Sequence, residues 1–378
     1  MVRKRKTLPK NFNELIEAGD IAALQEVFTK CELDAYGGYS KTTALSFFNV
    51  PEELVRWLVE QGANINARDN YKRSALHNQA ISWQGNIELL LELGADIEAL
   101  DYQNETPLFA AATFFKPNAV RTLVSKSANI SAVNMMNETP LDKALAVCRN
   151  INIVDLVEVS EIFLSAGIAV TPKMKNSIKR IGKDFEFHRE GFNKEYLNET
   201  DEALSRLYEL FDVPPVEKRK THDGMSPITV CTKGWQAQHN ELWDLLIPSQ
   251  GYAQTVQGEV IRITGKVSYE ILDNGGINWD NDFRKMLKSL NHYFSLGTPL
   301  HPGALQESIT LAKELDNGDG DEEPARLCEL AVQWVLSNPN PIILESPNIS
   351  ANIFNESNKH FYKQYYPFAK HLTAKKRG

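Results

Sequence analysis

Residues 74–77 read Ser-Ala-Leu-His, and related phrases return as Thr106-Pro107-Leu108-Phe109 and Thr139-Pro140-Leu141-Asp142. Each phrase is followed by apolar residues at helical spacing. The leucine of the phrase therefore recurs at Leu76, Leu108 and Leu141. A regular interval of about 32 residues predicts a stack of equivalent structural units.

A second marker closes each unit. Gly62-Ala63-Asn64-Ile65 and Gly94-Ala95-Asp96-Ile97 share one pattern, from which Ser127-Ala128-Asn129-Ile130 departs at its first residue. A glycine at that position can adopt the left-handed backbone that ends a helix. At the other end of the unit, the Thr of the phrase can cap a helix and the Pro fits its first turn. Each unit is therefore predicted to consist of helices between a capping phrase at its start and a helix-ending residue at its end.

A period of about 33 residues around a Thr-Pro-Leu-His phrase resembles that of ankyrin repeats. The resemblance covers residues 10–170 and implies an all-α solenoid of about five repeats with short β-hairpin turns. It implies a binding surface and no catalytic site. The last unit carries extra residues around Cys148–Val157, and the first unit is atypical. The five units are 11–34, 40–69, 70–101, 102–134 and 135–170.

The repeat disappears near Thr171 while helical spacing continues, which predicts a second, compact α-helical domain. The dipeptide Pro214-Pro215 and the polar stretch 217–224 mark a link before it. Its predicted helices are 234–247, 254–273, 280–296, 303–314 and 324–337. The predicted organisation is a basic disordered leader, an ankyrin-like solenoid, a helical connector and an α-helical C-terminal domain over 1–9, 10–170, 171–221 and 222–378.

Charge and cysteine content restrict the partners and the compartment. The net charge is −8, and residues 11–170 hold 11 Lys/Arg and 21 Asp/Glu, a net charge of −10. This balance favours a basic protein partner over nucleic acid or an acidic membrane. The four cysteines fit no metal spacing and indicate reduced thiols in a cytoplasmic protein. No apolar run is long enough to predict a membrane helix.

Two segments imitate ligand-binding motifs but lack essential residues. Gly258 and Gly265-Lys266 are separated by six residues where a phosphate loop needs four, and Val267 replaces its Ser/Thr. A calcium loop starting at Asp319 would place Pro324 and Leu330 where Gly and Glu are required. We therefore predict no metal, no cofactor and no catalytic residue.

The ankyrin resemblance implies which residues contact a partner. Ligands of that family meet the hairpin tips and the inner side of each first helix. Tyrosines and methionines on a rigid scaffold suit a protein-binding surface. Carried over by register, the predicted contact residues are Asn70, Tyr71, Arg73, Trp83, Tyr102, Gln103, Glu105, Phe114, Met135, Met136 and Glu138.

The favoured hypothesis is a non-catalytic protein-binding module. The chain resembles bacterial cytosolic ankyrin proteins with an added helical domain, which include immunity proteins that neutralise a cognate toxin; the partner would then be a basic toxin domain. One alternative is an enzyme or modifying factor with a site at Trp279, Asp280 and Asp282. Another is a regulator that contacts nucleic acid through the basic residues 3–6 and 370–377.

Overall fold

The computed structural model describes residues 3–83 and 85–344, which form two compact units. The first unit runs to Phe185 and includes Phe192–Val216. The second unit takes in Glu186–Gly191 and resumes at Glu217. Helices make up most of both units, which confirms the predicted all-α class.

A small sheet opens the first unit. Its strands are β1 Arg5–Thr7, β2 Cys31–Gly37 and β3 Thr42–Thr43, with β1 parallel to β2 and β2 antiparallel to β3. The prediction of a disordered leader over residues 1–9 is therefore corrected for β1. All three β1 residues are exposed, so the strand has no apolar alternation to reveal it. It is held instead by backbone pairing and by Lys4, whose ammonium donates to the Phe28 carbonyl at 2.6 Å.

Nine helices and two short 3-10 turns follow the repeat pattern of the described first unit. Ser74, Thr106 and Thr139 directly precede the first helix of three successive repeats, as predicted. The helices are α1 Phe12–Ala18, α2 Ile21–Lys30, α3 Glu52–Glu60, α4 Ala75–Ala80, α5 Ile87–Glu92, α6 Pro107–Thr113, α7 Pro117–Ser125, α8 Pro140–Val147 and α9 Ile153–Ser165. The 3-10 turns are Ala44–Ser46 and Asn150–Asn152.

The repeat ends adopt the left-handed backbone that the sequence predicted. Gly62, Gly94 and Gly167 have φ angles of 97°, 93° and 101°. Ser127 takes the same role at φ 67°, although a side chain disfavours this conformation. The departure at Ser127 therefore changes the residue and not the local fold.

Two further helices complete the first unit at its C-terminal end. They are α10 Pro172–His188 and α11 Lys194–Leu210, and α11 packs on α9. Met174, Ile178 and Leu207 are buried in the core that the repeats share. Most of the predicted connector thus belongs to the first unit. Its amphipathic helices carry enough apolar residues to cover the exposed side of the last repeat.

The extra residues of the last repeat contact α10. They form the 3-10 turn Asn150–Asn152, and the Asn150 amide donates to the Asp184 carbonyl at 3.5 Å. Arg180 donates to the Leu145 and Ala146 carbonyls at 2.8 and 3.2 Å. These bonds satisfy carbonyls at the C-terminal end of α8 that have no partner within the helix. The longer loop therefore joins the last repeat to the helix that follows.

The second unit is built around one buried helix. Every residue of α13 Val256–Ser268 except Lys266 is buried. Gly258 and Gly265 lie on one face, where a β-carbon would come within 2.6 Å of Ala253 and 2.5 Å of Trp243. The two glycines that resembled those of a phosphate loop therefore provide a packing site for α12. The other helices are α12 Trp235–Leu246, α14 Asn281–Tyr293, α15 Pro302–Glu314 and α16 Glu323–Ser337, and the π-helical turn Tyr269–Asp273 follows α13.

Candidate functional site

Three hairpin tips of the first unit adopt the same type of turn. In the middle tip, a carboxylate oxygen of Asp101 accepts hydrogen bonds from the backbone N–H groups of Gln103 and Glu105 at 2.7 and 2.9 Å. Asp69 and Asn134 accept the equivalent two bonds in the flanking tips. An Asp or Asn side chain that bonds the backbone two residues ahead stabilises such a turn. The tips are consequently rigid and alike.

Backbone hydrogen bonds join each tip to the next. The N–H of Tyr102 donates to the Tyr71 carbonyl at 3.0 Å, and the N–H of Met135 donates to the Gln103 carbonyl at 3.0 Å. Asn70 donates in the same way to Ser40, at 2.9 Å. Four successive turns are therefore linked into one row, which we call the tip row (residues 39–41, 70–73, 102–105 and 135–138).

Large apolar side chains project from the tip row. Met135 and Met136 are 71% and 77% exposed, and Tyr102 is 52% exposed. The Tyr71 and Tyr102 rings lie 5.9 Å apart at a tilt of 52°. Contiguous exposed apolar groups of this kind are typical of interaction sites. The predicted Tyr71, Tyr102, Met135 and Met136 thus come together on one row.

A groove of about 280 Å³ runs from the tip row onto the first helices. Its lining includes Tyr71, Tyr102, Phe114, Ile81 and Thr113. Phe114 is 55% exposed although it follows a helix of the repeat directly. The predicted residues Arg73, Gln103 and Glu105 also line this groove.

Some predicted contact residues are occupied by bonds within the unit. Glu105 is buried, and its carboxylate binds the ammonium of Lys143 and the amide of Asn134. The Glu138 carboxylate lies 3.1 Å from Lys173. Arg73 donates twice to Asp69, at 3.0 and 2.9 Å. Glu105 therefore supports the tips and is not available to a partner.

Trp83 lies apart from the groove. Its ring is 71% exposed, and the Lys116 ammonium lies 3.3 Å from the ring centroid. Burial lowers the pKa of Lys116, and the Asp155 carboxylate opposes that effect. A second cavity of about 270 Å³ includes Trp83 and Lys116 in its lining. This predicted residue belongs to a separate patch of the same unit.

His77 supports the fold beneath the groove. The Ser74 hydroxyl lies 2.9 Å from its Nδ1, and the Glu105 carbonyl lies 2.9 Å from its Nε2. Burial lowers the pKa of His77, which favours the neutral ring. The side chain thus links two neighbouring repeats.

The secondary candidate site in the second unit is the start of α14. Asp280 caps the helix by accepting from the N–H groups of Asp282 and Phe283 at 2.9 and 3.2 Å. The indole of Trp279 donates to the Asp316 carbonyl at 3.0 Å and stacks on Phe283 at 4.9 Å. Asp282 pairs with Lys285 at 3.0 Å. These contacts account for all three predicted residues as parts of a helix cap.

A buried ion pair, which the sequence did not reveal, lies in α13. Arg262 donates to both oxygens of Glu259, at 2.7 and 2.5 Å, and its guanidinium lies 5.3 Å from the Tyr252 ring centroid. Glu and Arg three residues apart are common on exposed helices, so the spacing alone gave no signal. Within 3–83 and 85–344, no group of three His, Cys, Asp or Glu could hold a metal ion.

The tip row also contains residues that the sequence reading missed. Tyr39 is 90% exposed in the first turn, next to Asn70 in the row, and Lys72 is exposed beside Tyr71. Tyr39 lies one repeat length before Tyr71, so the signal was present in the register. Tyr39 falls between the predicted units 11–34 and 40–69, so the register carried over from the later units did not include it.

Comparison with protein families agrees with this geometry. A family model described as ankyrin repeats (three copies) matches residues 42–134. Residues 42–134 are ankyrin repeats. The turn at 134–138 and helices α8 and α9 extend the ankyrin pattern beyond the match. No curated protein matched the chain.

Two further predictions concern regions outside the ankyrin repeats. None of the helices in the described ranges is long and apolar enough to cross a membrane. The basic residues 370–377 lie outside the described residues, whereas Arg5 and Lys6 of the other basic segment belong to β1. Ankyrin repeats are a protein-binding fold, so the surface that they form takes priority as the functional site.

Proposed function

We propose that the ankyrin repeats bind another protein through the tip row and the adjoining groove. The observation that carries this proposal is the continuous row of exposed tyrosine and methionine side chains on hydrogen-bonded turns. Because these turns are held in place before binding, few backbone dihedrals have to be ordered when a partner docks. Tyr and Met side chains then supply large contact areas.

The enzyme hypothesis has weaker support. Of its two candidate carboxylates, Asp280 already accepts two backbone hydrogen bonds as a helix cap, and Asp282 pairs with Lys285. The buried Glu259 and Arg262 bind each other. An acid or base for catalysis has to reach a substrate proton. Within the described part of the second unit, these groups support an enzymatic site less well than the tip row supports protein binding.

The narrower immunity hypothesis rests on resemblance and on net charge. A net charge of −10 over residues 11–170 would steer a basic toxin domain toward the first unit. Steering acts over the whole surface, whereas the contact chemistry depends on the groups at the tip row. A toxin domain is accordingly one candidate for the partner.

The test is a pull-down from the source cells with the intact chain and matched tyrosine variants. Tyr102→Arg changes the tip row, and Tyr196→Arg changes α11; both tyrosines are 52% exposed. We expect Tyr102→Arg to remove a stoichiometric protein partner because a charge would enter the apolar contact. Tyr196→Arg should retain the partner.

Adding Tyr71→Arg and Met135→Arg to Tyr102→Arg extends the test along the row. Retention of the partner by this triple variant would contradict the proposal and direct attention to the second unit. Mass spectrometry of the captured partner then tests the immunity hypothesis, which requires a toxin domain.

A further inference from the structure

The charges of the repeats are unevenly distributed between two sets of segments. The front segments hold the turns, the first helices and the loops after them: 38–50, 69–83, 101–116 and 134–152. The back segments hold the second helices and the residues after them: 51–68, 87–100, 117–133 and 153–170. All residues that line the groove beside the tip row belong to the front segments. The groove therefore joins three of the front segments, and the hydrogen bond from the Asn70 N–H to the Ser40 carbonyl joins the fourth to the same row.

The front segments present six basic residues that are at least partly exposed. Three of them are exposed and make no ion pair among the described residues: Lys41, Lys72 and Arg149. The other three are Arg73, Lys116 and Lys143.

All five acidic residues of the front segments bond to groups within the unit. Asp69 and Asp101 hold the turns, and Asp69 also pairs with Arg73. Glu105 pairs with Lys143, and Glu138 pairs with Lys173. Asp142 accepts from the Thr139 hydroxyl at 2.8 Å. Three of these carboxylates are paired with cations and Asp101 is buried, which leaves Asp142 against three exposed unpaired cations, so the charge that this face offers to a partner is positive.

The back segments have the opposite balance. They hold ten acidic and four basic residues, all exposed at least in part. The acidic charge of the repeats is thus concentrated away from the groove. Net charge alone had predicted the opposite chemistry at the contact surface.

We propose that the partner is a protein that presents an acidic, apolar segment to the front face. This inference rests on the proposed binding function and adds the chemistry of the bound segment. Each cation lies close in the chain to an exposed apolar side chain: Lys41 follows Tyr39, Lys72 follows Tyr71, and Arg149 precedes Ile151. Carboxylates alternating with apolar side chains would match this arrangement.

The physical basis is electrostatic complementarity beside an apolar contact. A carboxylate placed next to Lys72 would lie close to the Tyr71 and Tyr102 rings, where docking removes water. Removal of water strengthens the attraction between opposite charges. The acidic back segments would at the same time repel an acidic partner that approached the wrong face.

A single-stranded nucleic acid also combines negative charge with flat apolar groups. The geometry favours protein, because the Tyr71 and Tyr102 rings pack against each other at 5.9 Å. The chain as a whole carries a charge of −8, which opposes a polyphosphate. Nucleic acid binding is retained as an outcome of the test.

The experiment selects phage-displayed random peptides on the intact chain. We expect enrichment of peptides in which Asp or Glu alternates with Phe, Tyr, Trp or Leu. Their affinity should fall as ionic strength rises from about 0.05 M to about 0.5 M, because salt screens exposed charges. A synthetic peptide from the selection then serves as the probe for variants.

Two charge-reversal variants separate the faces. The front variant carries Lys41→Glu, Lys72→Glu and Arg149→Glu; the matched back variant carries Arg56→Glu, Arg121→Glu and Lys126→Glu. All six residues are exposed, and both variants change the net charge equally. We expect the front variant to bind the probe roughly tenfold or more weakly and the back variant to bind within about threefold of the native chain.

Several results would overturn the inference: no enrichment of acidic peptides, equal losses in both variants, or capture of a single-stranded oligonucleotide that the front variant alone loses. The double variant Tyr71→Ala/Tyr102→Ala removes both rings without adding charge, and it separates a failure of the charge inference from a failure of the proposed binding surface. If the tyrosine variant loses the probe and the front variant keeps it, the binding surface stands and its proposed chemistry is wrong. If both variants keep the probe, the proposed function is wrong as well.

Discussion

Individual side chains of the tips have two separate tasks. Asp69, Asp101 and Asn134 accept backbone hydrogen bonds and hold the turns, whereas Tyr71 and Tyr102 remain exposed. The holding residue is Asp in two tips and Asn in the third, so an acceptor oxygen is what the turn requires. Substitutions at the two kinds of position should therefore affect stability and binding separately.

Replacing Asp101 tests the holding task. Asp101→Ala leaves the N–H groups of Gln103 and Glu105 without their acceptor, and we expect a loss of about 1–3 kcal/mol in the free energy of unfolding. Asp101→Asn keeps an acceptor oxygen, as Asn134 does in the next tip, and should cost less than about 1 kcal/mol. Chemical denaturation followed by circular dichroism measures both. An unchanged Asp101→Ala protein would show that the turn does not depend on this side chain.

Helix packing in the second unit depends on two glycines of α13. Gly258 and Gly265 are seven residues apart on α13, and α12 approaches them closely. The sequence showed an amphipathic stripe with an interior glycine, whereas the structure shows a helix that is buried on nearly all sides. A helix surrounded in this way tolerates little added volume.

Adding one methyl group tests this packing. Gly265→Ala would place a β-carbon 2.5 Å from the Trp243 ring, and we expect a destabilisation of roughly 1–3 kcal/mol. Gly303→Ala in α15 is the matched control, because its nearest neighbour lies at 3.5 Å. Alanine is the better helix former, so this control should be neutral or stabilising by up to about 1 kcal/mol. Similar thermal shifts in both variants would argue against close packing at Gly265.

The repeats and their two closing helices form one continuous core. Buried apolar residues extend without interruption from Leu8 to Val213. Hydrogen bonds between tips connect the same repeats at the surface. In such a stack each repeat is stabilised mainly by its neighbours. A defect in a central repeat should consequently affect more of the chain than a defect at the end.

Two leucine truncations compare these positions. Leu108 and Leu24 are both fully buried, in α6 and α2 respectively. We expect Leu108→Ala to cost about 2–5 kcal/mol and to raise amide hydrogen exchange in the repeats on both sides of α6. Leu24→Ala should raise exchange chiefly in the first repeat. Exchange confined to α6 in the Leu108→Ala protein would contradict coupling between repeats.

Much of the proposed binding surface could be located from the sequence because the repeat is a local pattern. The recurring Thr-Pro-Leu phrase carries the cap and the first turn of each helix, and its regular spacing places the tips. Equivalent positions in a regular stack lie in a row. For that reason Tyr71, Tyr102 and Met135 could be assigned to one surface from their numbers alone.

The amino-acid order thus specified the repeats, the helices and the row of tips, since these depend on neighbours within one repeat. Tertiary structure was needed to show that Lys143 pairs with Glu105, that Arg180 donates to the Leu145 carbonyl in the last repeat and that Arg5–Thr7 forms a strand. Each of these contacts joins residues that are far apart in the chain. Which distant groups meet depends on how the whole chain packs, and a pattern that spans a single repeat carries no record of it.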